Sequence, residues 1–131
     1  MQTSYKLTTN EIEVKVEVAY QSDQSMPVSN QYLFAYRITI YNRSSHPVQL
    51  LNRQWLITNG WGGQKTVAGE GVIGLQPKIE SAEAFQYMSG CHLETPRGTM
   101  GGYYEFVNLT FNTKFDVTIP TFEMLYLPTL N

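Results

Sequence analysis

The chain has 131 residues, nine Lys and Arg against eleven Asp and Glu, and a single cysteine, Cys91. That length suits one domain, spanning 1–131, with one core. One thiol excludes an intramolecular disulfide framework and leaves a zinc site short of ligands, and the balanced charge lacks the basic stripe of a nucleic-acid binder.

Glu11 to Tyr20 alternates strictly: Ile12, Val14, Val16, Val18 and Tyr20 share one face, and Glu11, Glu13, Lys15 and Glu17 the other. A period of two with one charged face is a half-buried strand. The residues before it form a short N-terminal lead to a core of roughly 11–122. Gln21 to Asn30, polar and containing Pro27, reads as a long loop. Tyr32 to Asn42 carries apolar residues on both faces and so lies centrally in a sheet. Arg43 to Pro47 turns the chain. Val48 to Asn59 is a third extended run, with Trp55 filling the core, and the glycines from Gly60 to Gly63 reverse it.

Gln64 to Ala68 returns as a short strand and leads into a glycine loop, Gly69 to Gly74. Pro77 and the corner Glu80 to Glu83 frame a further short strand, and an isolated helical turn fits around Glu80 to Ala84. Ala84 to Ser89 alternates, and Gly98 to Leu109 is a strand interrupted at Gly101-Gly102. Lys114 to Ile119 puts Phe115, Val117 and Ile119 on one face. Pro120 then interrupts, and an apolar tail, Phe122 to Leu127, adds an edge strand. No window of helical length shows a 3.6-residue apolar period, so the expectation is an all-β sandwich or barrel. No apolar run approaches the ~18 residues of a membrane span, and the first residues have no apolar core of a signal peptide. The expectation is a cytoplasmic protein with no membrane contact. The N-x-[ST] matches at Asn42 and Asn108 are then chance.

Gly69-Glu-Gly-Val-Ile-Gly74 matches G-x-G-x-x-G letter for letter. A dinucleotide loop needs a strand before it and a helix after it, because the helix N-terminus holds the pyrophosphate. Pro77 follows three residues later and no periodic helix comes after it, so that context is missing. Two readings remain. The glycines allow positive φ and close crossing of another strand. Alternatively, the amides of Gly69, Gly71 and Gly74 form an anion nest, with Lys65 and Lys78 flanking and Glu70 opposing, for a phosphate or nucleotide.

Chemistry-bearing side chains are few. His46, His92, Asp23 and Asp116 are scattered, and no catalytic residue, cofactor or metal ligand set is nominated. Cys91 reads as a partly buried structural thiol, pointing away from its neighbour His92. Trp61 sits at a glycine-flanked turn tip, where it is either an exposed contact anchor or folded over its own hairpin. With Tyr126 and Leu127 of the apolar tail it makes up the candidate partner-contact set.

The runs Val67-Ala-Gly-Glu-Gly-Val-Ile-Gly-Leu-Gln-Pro77, Phe85-Gln-Tyr-Met-Ser-Gly90 and Thr95-Pro-Arg-Gly-Thr-Met-Gly-Gly-Tyr103 resemble the signatures of the ApaG family. Arg53-Gln-Trp-Leu-Ile-Thr58 and Phe115-Asp-Val-Thr-Ile-Pro-Thr-Phe122 fit in the same order. The resemblance implies an immunoglobulin-like or fibronectin-type-III-like β-sandwich. It also implies a genetic link to a diadenosine-tetraphosphate hydrolase gene and an indirect one to cobalt and magnesium handling. In eukaryotic relatives, where the domain is attached to an F-box protein and to a polymerase-interacting protein, it implies protein binding. Two positions depart from the family pattern: Asn59 where members carry Asp, and Ser81-Ala82 where they carry Pro-Gly. The first weakens any metal proposal built on that carboxylate. The functional expectation is a non-enzymatic interaction module whose partner is another protein or a second copy of the chain. The alternative is a phosphate- or nucleotide-binding regulator at the glycine loop.

Overall fold

The computed structural model describes residues 2–128. These form β1 (Gln2–Thr9), β2 (Ile12–Tyr20), β3 (Tyr32–Asn42), β4 (Val48–Asn59), β5 (Gln64–Glu70), β6 (Lys78–Ile79), β7 (Ala84–Leu93), β8 (Arg97–Asn108) and β9 (Thr113–Leu125). Two antiparallel sheets result, ordered β1-β2-β3-β7 and β5-β4-β8-β9, with β6 pairing the start of β4 on the β5 side. Of the sandwich or barrel expected from the alternation, the fold is the sandwich.

The alternation of β2 does what its period dictates: Ile12, Val14, Val16 and Val18 are buried. β3 contributes Phe34, Tyr36, Ile38 and Ile40 to the same interior and lies between β2 and β7. The second sheet answers with Leu50, Trp55, Tyr104, Phe106, Ile119 and Phe122. Trp55 is the hub of the ring packing, with Tyr36, Phe122 and Tyr104 centroids 5.7, 6.1 and 6.4 Å away. Such tilted and edge-on pairs each add ~0.5–1.5 kcal/mol beyond area burial.

Several elements differ from expectation. The N-terminal lead is a full strand: β1 pairs with β2 over its whole length and brings Tyr5 against the core. β7 runs on through Gly90 to Leu93. The corner at Glu80 is a tight turn, with Glu83 N–H donating to Glu80 O at 3.1 Å and Ala82 at φ 64°. Three-residue 3-10 turns occur instead in the loop after β2, at Ser22–Gln24 and Pro27–Ser29.

Pro120 does not end a strand. β9 is continuous, and between Met100↔Phe122 and Gly102↔Ile119 it carries an extra residue against β8. A bulge of this kind inverts the side-chain parity. Hence Val117 and Ile119 are buried before it, and Phe122 and Met124 after it. The paired glycines make room: a Cβ on Gly101 would lie 2.5 Å from Thr121 Oγ1, and one on Gly102 would lie 1.9 Å from Gln54 O.

The two sequons are explained by local bonding. Asn42 is fully buried and donates to His46 O and Ile79 O, while its Oδ1 accepts from Ser44. Asn108 Oδ1 caps the amides of Thr110 and Phe111.

One polar link crosses the core. The hydroxyls of Tyr87 on β7 and Tyr104 on β8 meet at 2.5 Å, buried. Burial pushes both hydroxyls well above their ordinary value of 10. Burial likewise pushes the Cys91 thiol from an ordinary 9.0 up to about 11. These groups hold their protons longer in the folded chain than in the unfolded one, so the stability they give is complete at neutral pH and is lost as alkali titrates the unfolded state first. Urea titrations should give a constant unfolding free energy up to about pH 9, then a decline that steepens above about pH 10. Cys91→Ala should remove the part beginning near 9, and Tyr87→Phe should lessen the part beginning near 10, leaving the share of Tyr104.

Candidate functional site

The first candidate region is one end of the sandwich. The turn joining β4 to β5 is closed by Asn59: its N–H donates to Gly63 O, its carbonyl accepts from Gly62 N–H, and its Oδ1 accepts from Trp61 and Gly63 N–H at 2.9 Å each. An amide oxygen thus does here what a carboxylate would do. Below the turn, Gly60 N–H donates to the buried Thr95 hydroxyl at 2.8 Å, and Thr95 donates on to Arg97 O. The tip is stiff, and Trp61 stands on it 74% exposed.

The segment after β9 reaches the same end. Tyr126 N–H donates to Pro96 O at 2.7 Å, and its ring packs on Tyr20 and Tyr32, with centroids 4.7 and 5.4 Å away. Tyr126 therefore ties the sheets together more than it faces solvent, whereas the next residue, Leu127, is 70% exposed. Residues 129–131 of the tail lie outside the described residues. The loop after β2 adds Met26 and a 98% exposed Val28. Four separate segments, at Val28, Trp61, Pro96 and Leu127, thus crown one end. Composition gave no warning of Val28, because a lone valine after proline in a polar loop carries no periodic signal.

The second candidate region is the glycine loop, whose geometry is set by β4. Register shifts between Leu50 and Asn52 opposite β8, so Leu51 is a bulge residue. Its carbonyl accepts from Gly71 N–H at 2.8 Å and from Gln76 Nε2 at 2.9 Å. Val72 and Leu75 exchange N–H···O bonds at 2.8 Å around a two-residue turn, with Ile73 at φ 44° and Gly74 at 77°. That is the primed turn that suits tight hairpins. Val72 is driven into the core, and Ile73 and Leu75 are left exposed. The amides of Gly71, Val72 and Leu75 are used inside the fold, so Gly71, one of the three amides of the expected nest, is already bonded to the chain itself. The loop offers carbonyls instead: Arg53 Nη1 donates to Glu70 O and Gly71 O at 3.0 and 2.8 Å. Gly69 lies in β5 with its Cα against that guanidinium. Lys65 sits at the other end of β5, paired with Ile57, and Lys78 lies on β6. The structure therefore holds Lys65 away from the loop along β5.

Arg53 is the residue that sequence reading missed. It shares parity with Trp55 and Ile57 and so points between the sheets, bordering a cavity of about 190 Å³ lined also by Tyr36, Trp55, Val72, Tyr87 and Ser89. Burial raises the Tyr36 hydroxyl above its ordinary value, opposed by a hydrogen bond with Ser89 and by the Arg53 charge. A cation between two core-facing residues was the available signal.

The scattered titratable residues stay scattered. His46 packs on Phe111 and bonds Thr110, Asp23 lies in a 3-10 turn, and His92 is exposed while Cys91 is buried. Among the described residues no group of three or more His, Cys, Asp and Glu could hold a metal ion, and no helix is long and apolar enough to cross a membrane.

The family model for the ApaG domain matches residues 22–108. The chain belongs to the ApaG family. Protein ApaG of Proteus mirabilis is 45% identical over 123 residues, 94% of this chain and 97% of that protein. Protein ApaG of Salmonella arizonae is 48% identical over 117 residues, 89% and 92% of the two. The crystal structure of the putative ApaA protein from Bordetella pertussis superposes with a TM-score of 0.86 at 40% identity, covering 95% of this chain and 98% of that one. The runs that carry the family resemblance include the glycine loop, so its internal bonding separates two roles for it.

If the glycines shape the backbone, their replacement costs follow geometry. A Cβ on Gly71 would lie 2.1 Å from Leu75 O at φ +64°, whereas one on Gly74 would meet nothing within 4 Å at φ +77°. Gly74→Ala should cost about 1–2 kcal/mol for the left-handed backbone alone. Gly71→Ala should cost that plus ~1–3 kcal/mol of overpacking. Urea unfolding of the two variants checks the order, and equal losses would contradict it.

Proposed function

We propose that this ApaG domain is a non-catalytic protein-binding module that meets its partner at the loop end, with Trp61 as the anchor. The supporting observation is a large aromatic side chain held out to solvent on a turn whose backbone groups are tied to Asn59 and Thr95. A stiff aromatic loses little freedom on binding, and Trp is enriched among residues that dominate interface energies. Met26, Val28 and Leu127 add further exposed apolar surface at the same end. The sparse charge leaves such a contact dependent on shape and burial more than on long-range attraction. Against the alternative, a phosphate or nucleotide at Gly69 to Gly74, stand the internal bonds of the Gly71 and Val72 amides.

Trp61 touches too little of the fold to support it, so Trp61→Ala should shift the unfolding free energy by no more than about 0.5 kcal/mol. The same change should weaken partner capture by the immobilised intact domain by about thirtyfold, the effect of losing a ~2 kcal/mol anchor. Leu127→Ser should weaken it less. Retention of the same partners at the same strength by both variants would rule this end out as the contact surface.

A further inference from the structure

A β-sandwich has four sheet edges, and each presents a row of unpaired N–H and C=O groups unless something guards it. Three edges here are guarded. β1 carries Lys6 and faces β9 across the sandwich, where Tyr5 packs on Phe122 and its hydroxyl accepts from Glu123 N–H. β9 carries Lys114, Asp116, Pro120 and Glu123 and is bulged. β5 carries Lys65 and ends at Glu70. β7 differs from all of them. Its ten residues, Ala84 to Leu93, contain no Lys, Arg, Asp, Glu or Pro, and it pairs with β3 in unbroken register.

The register gives the direction of each backbone group. Asn42 N–H donates to Glu83 O, which makes Tyr41↔Ala84 a non-hydrogen-bonded pair and Ile40↔Phe85 a bonded one. Odd-numbered residues of β7 therefore bond β3. Gln86, Met88, Gly90 and His92 turn their N–H and C=O groups to the open edge, and no strand among the described residues takes them up. Met88, at the centre of this row, is 62% exposed.

The inward side chains Tyr87 and Ser89 on the same strand line the Arg53 cavity. Arg53 spends Nη1 on the loop carbonyls. Its Nε and Nη2 make no hydrogen bond with the described residues, and its charge has no carboxylate partner there. A strand added beside β7 would send alternate side chains toward this cavity, where a guanidinium and neutral hydroxyls offer donors.

We propose that β7 accepts an extended segment of a partner polypeptide as a fifth strand of the first sheet, with an aspartate or glutamate of that segment seated against Arg53. Main-chain bonds to Gln86, Met88, Gly90 and His92 supply the affinity, and the carboxylate in the cavity sets the register. This deepens the protein-binding reading, and rests on it, by naming the partner's conformation and its charged residue.

A displayed library of random dodecapeptides, selected on the intact chain, tests it. Selected peptides should share one Asp or Glu, and changing that residue to its amide should weaken binding about tenfold or more. Binding should slow amide exchange at Gln86, Met88, Gly90 and His92. Met88→Pro should abolish binding and leave the fold intact, because the lost N–H faces solvent on an edge strand. N-methylation of alternate peptide residues should do the same without touching the protein. A library that yields no binder, or binders indifferent to both blocks, overturns the proposal. Binders that protect the Trp61 end overturn it too, while leaving the protein-binding reading standing. A peptide-free dimer that Met88→Pro dissolves assigns the edge to a second copy of the chain and overturns it as well.

Discussion

The extra residue at Leu51 is the constraint on which the rest of the second sheet depends. Without it, the parity set by Val48 and Leu50 would continue, and Gln54 and Leu56 would face the core in place of Trp55. The bulge puts Arg53, Trp55 and Ile57 inward and leaves the Leu51 carbonyl needing a donor. The glycine loop supplies that donor through Gly71 N–H, and Gln76 supplies a second. Arg53, turned inward by the bulge, closes the arrangement by donating to the carbonyls of Glu70 and Gly71. Bulge, arginine and glycine loop are thus one unit. A buried carbonyl left without its partner costs about 1–3 kcal/mol, which is why the loop's conformation and the strand's parity stand or fall together.

The same unit explains why a letter-perfect G-x-G-x-x-G binds its own strand. In a phosphate loop the amides converge outward on an anion. Here Gly71 N–H goes inward to Leu51, and the carbonyls converge on a cation. The motif's spacing is the same and its polarity is reversed. Val72, carried inward by the turn, fills the gap between the sheets on the side where β5 and β7 do not pair. On the opposite side β1 and β9 close the sandwich with Tyr5 and Phe122. The sandwich therefore has a sealed side and a plugged one, and the cavity beside Arg53 is what the plug leaves.

Much of this was legible in the residues and some could not be. β2 announced itself because one face is aliphatic and the other charged. Trp55 declared the core, and the missing helix after Gly74 ruled out the dinucleotide loop. β1 was hidden because Thr3, Ser4, Lys6 and Thr8 give no contrast between faces. β9 read as two pieces because a bulge shifts the buried residues from odd to even numbers, and Pro120 sits at the shift. Bulges exist only relative to a partner strand, so a single chain read in order cannot display them. Arg53 is the instructive miss: its parity with Trp55 placed it inside, yet an isolated cation reads as surface until the carbonyls that hold it are known.

Sheet edges follow the same logic at the level of the whole molecule. Whether Lys6 or Lys65 guards anything depends on the sheet order, which places β1 and β5 at edges and β4 in the interior. Once that order is known, the absence of charge and proline from β7 changes meaning. In a central strand it would be ordinary packing. At an edge it leaves the row through Met88 open, where natural sheets place a lysine, a proline or a bulge to prevent pairing. The open row lies along one side of the sandwich and Trp61 crowns one end. Strand addition to β7 and burial of Trp61 are therefore compatible in one complex: the first uses backbone groups of the first sheet, the second a side chain on a turn of the other. A partner that spans both would combine the sequence-tolerant affinity of main-chain pairing with the selectivity of an aromatic anchor.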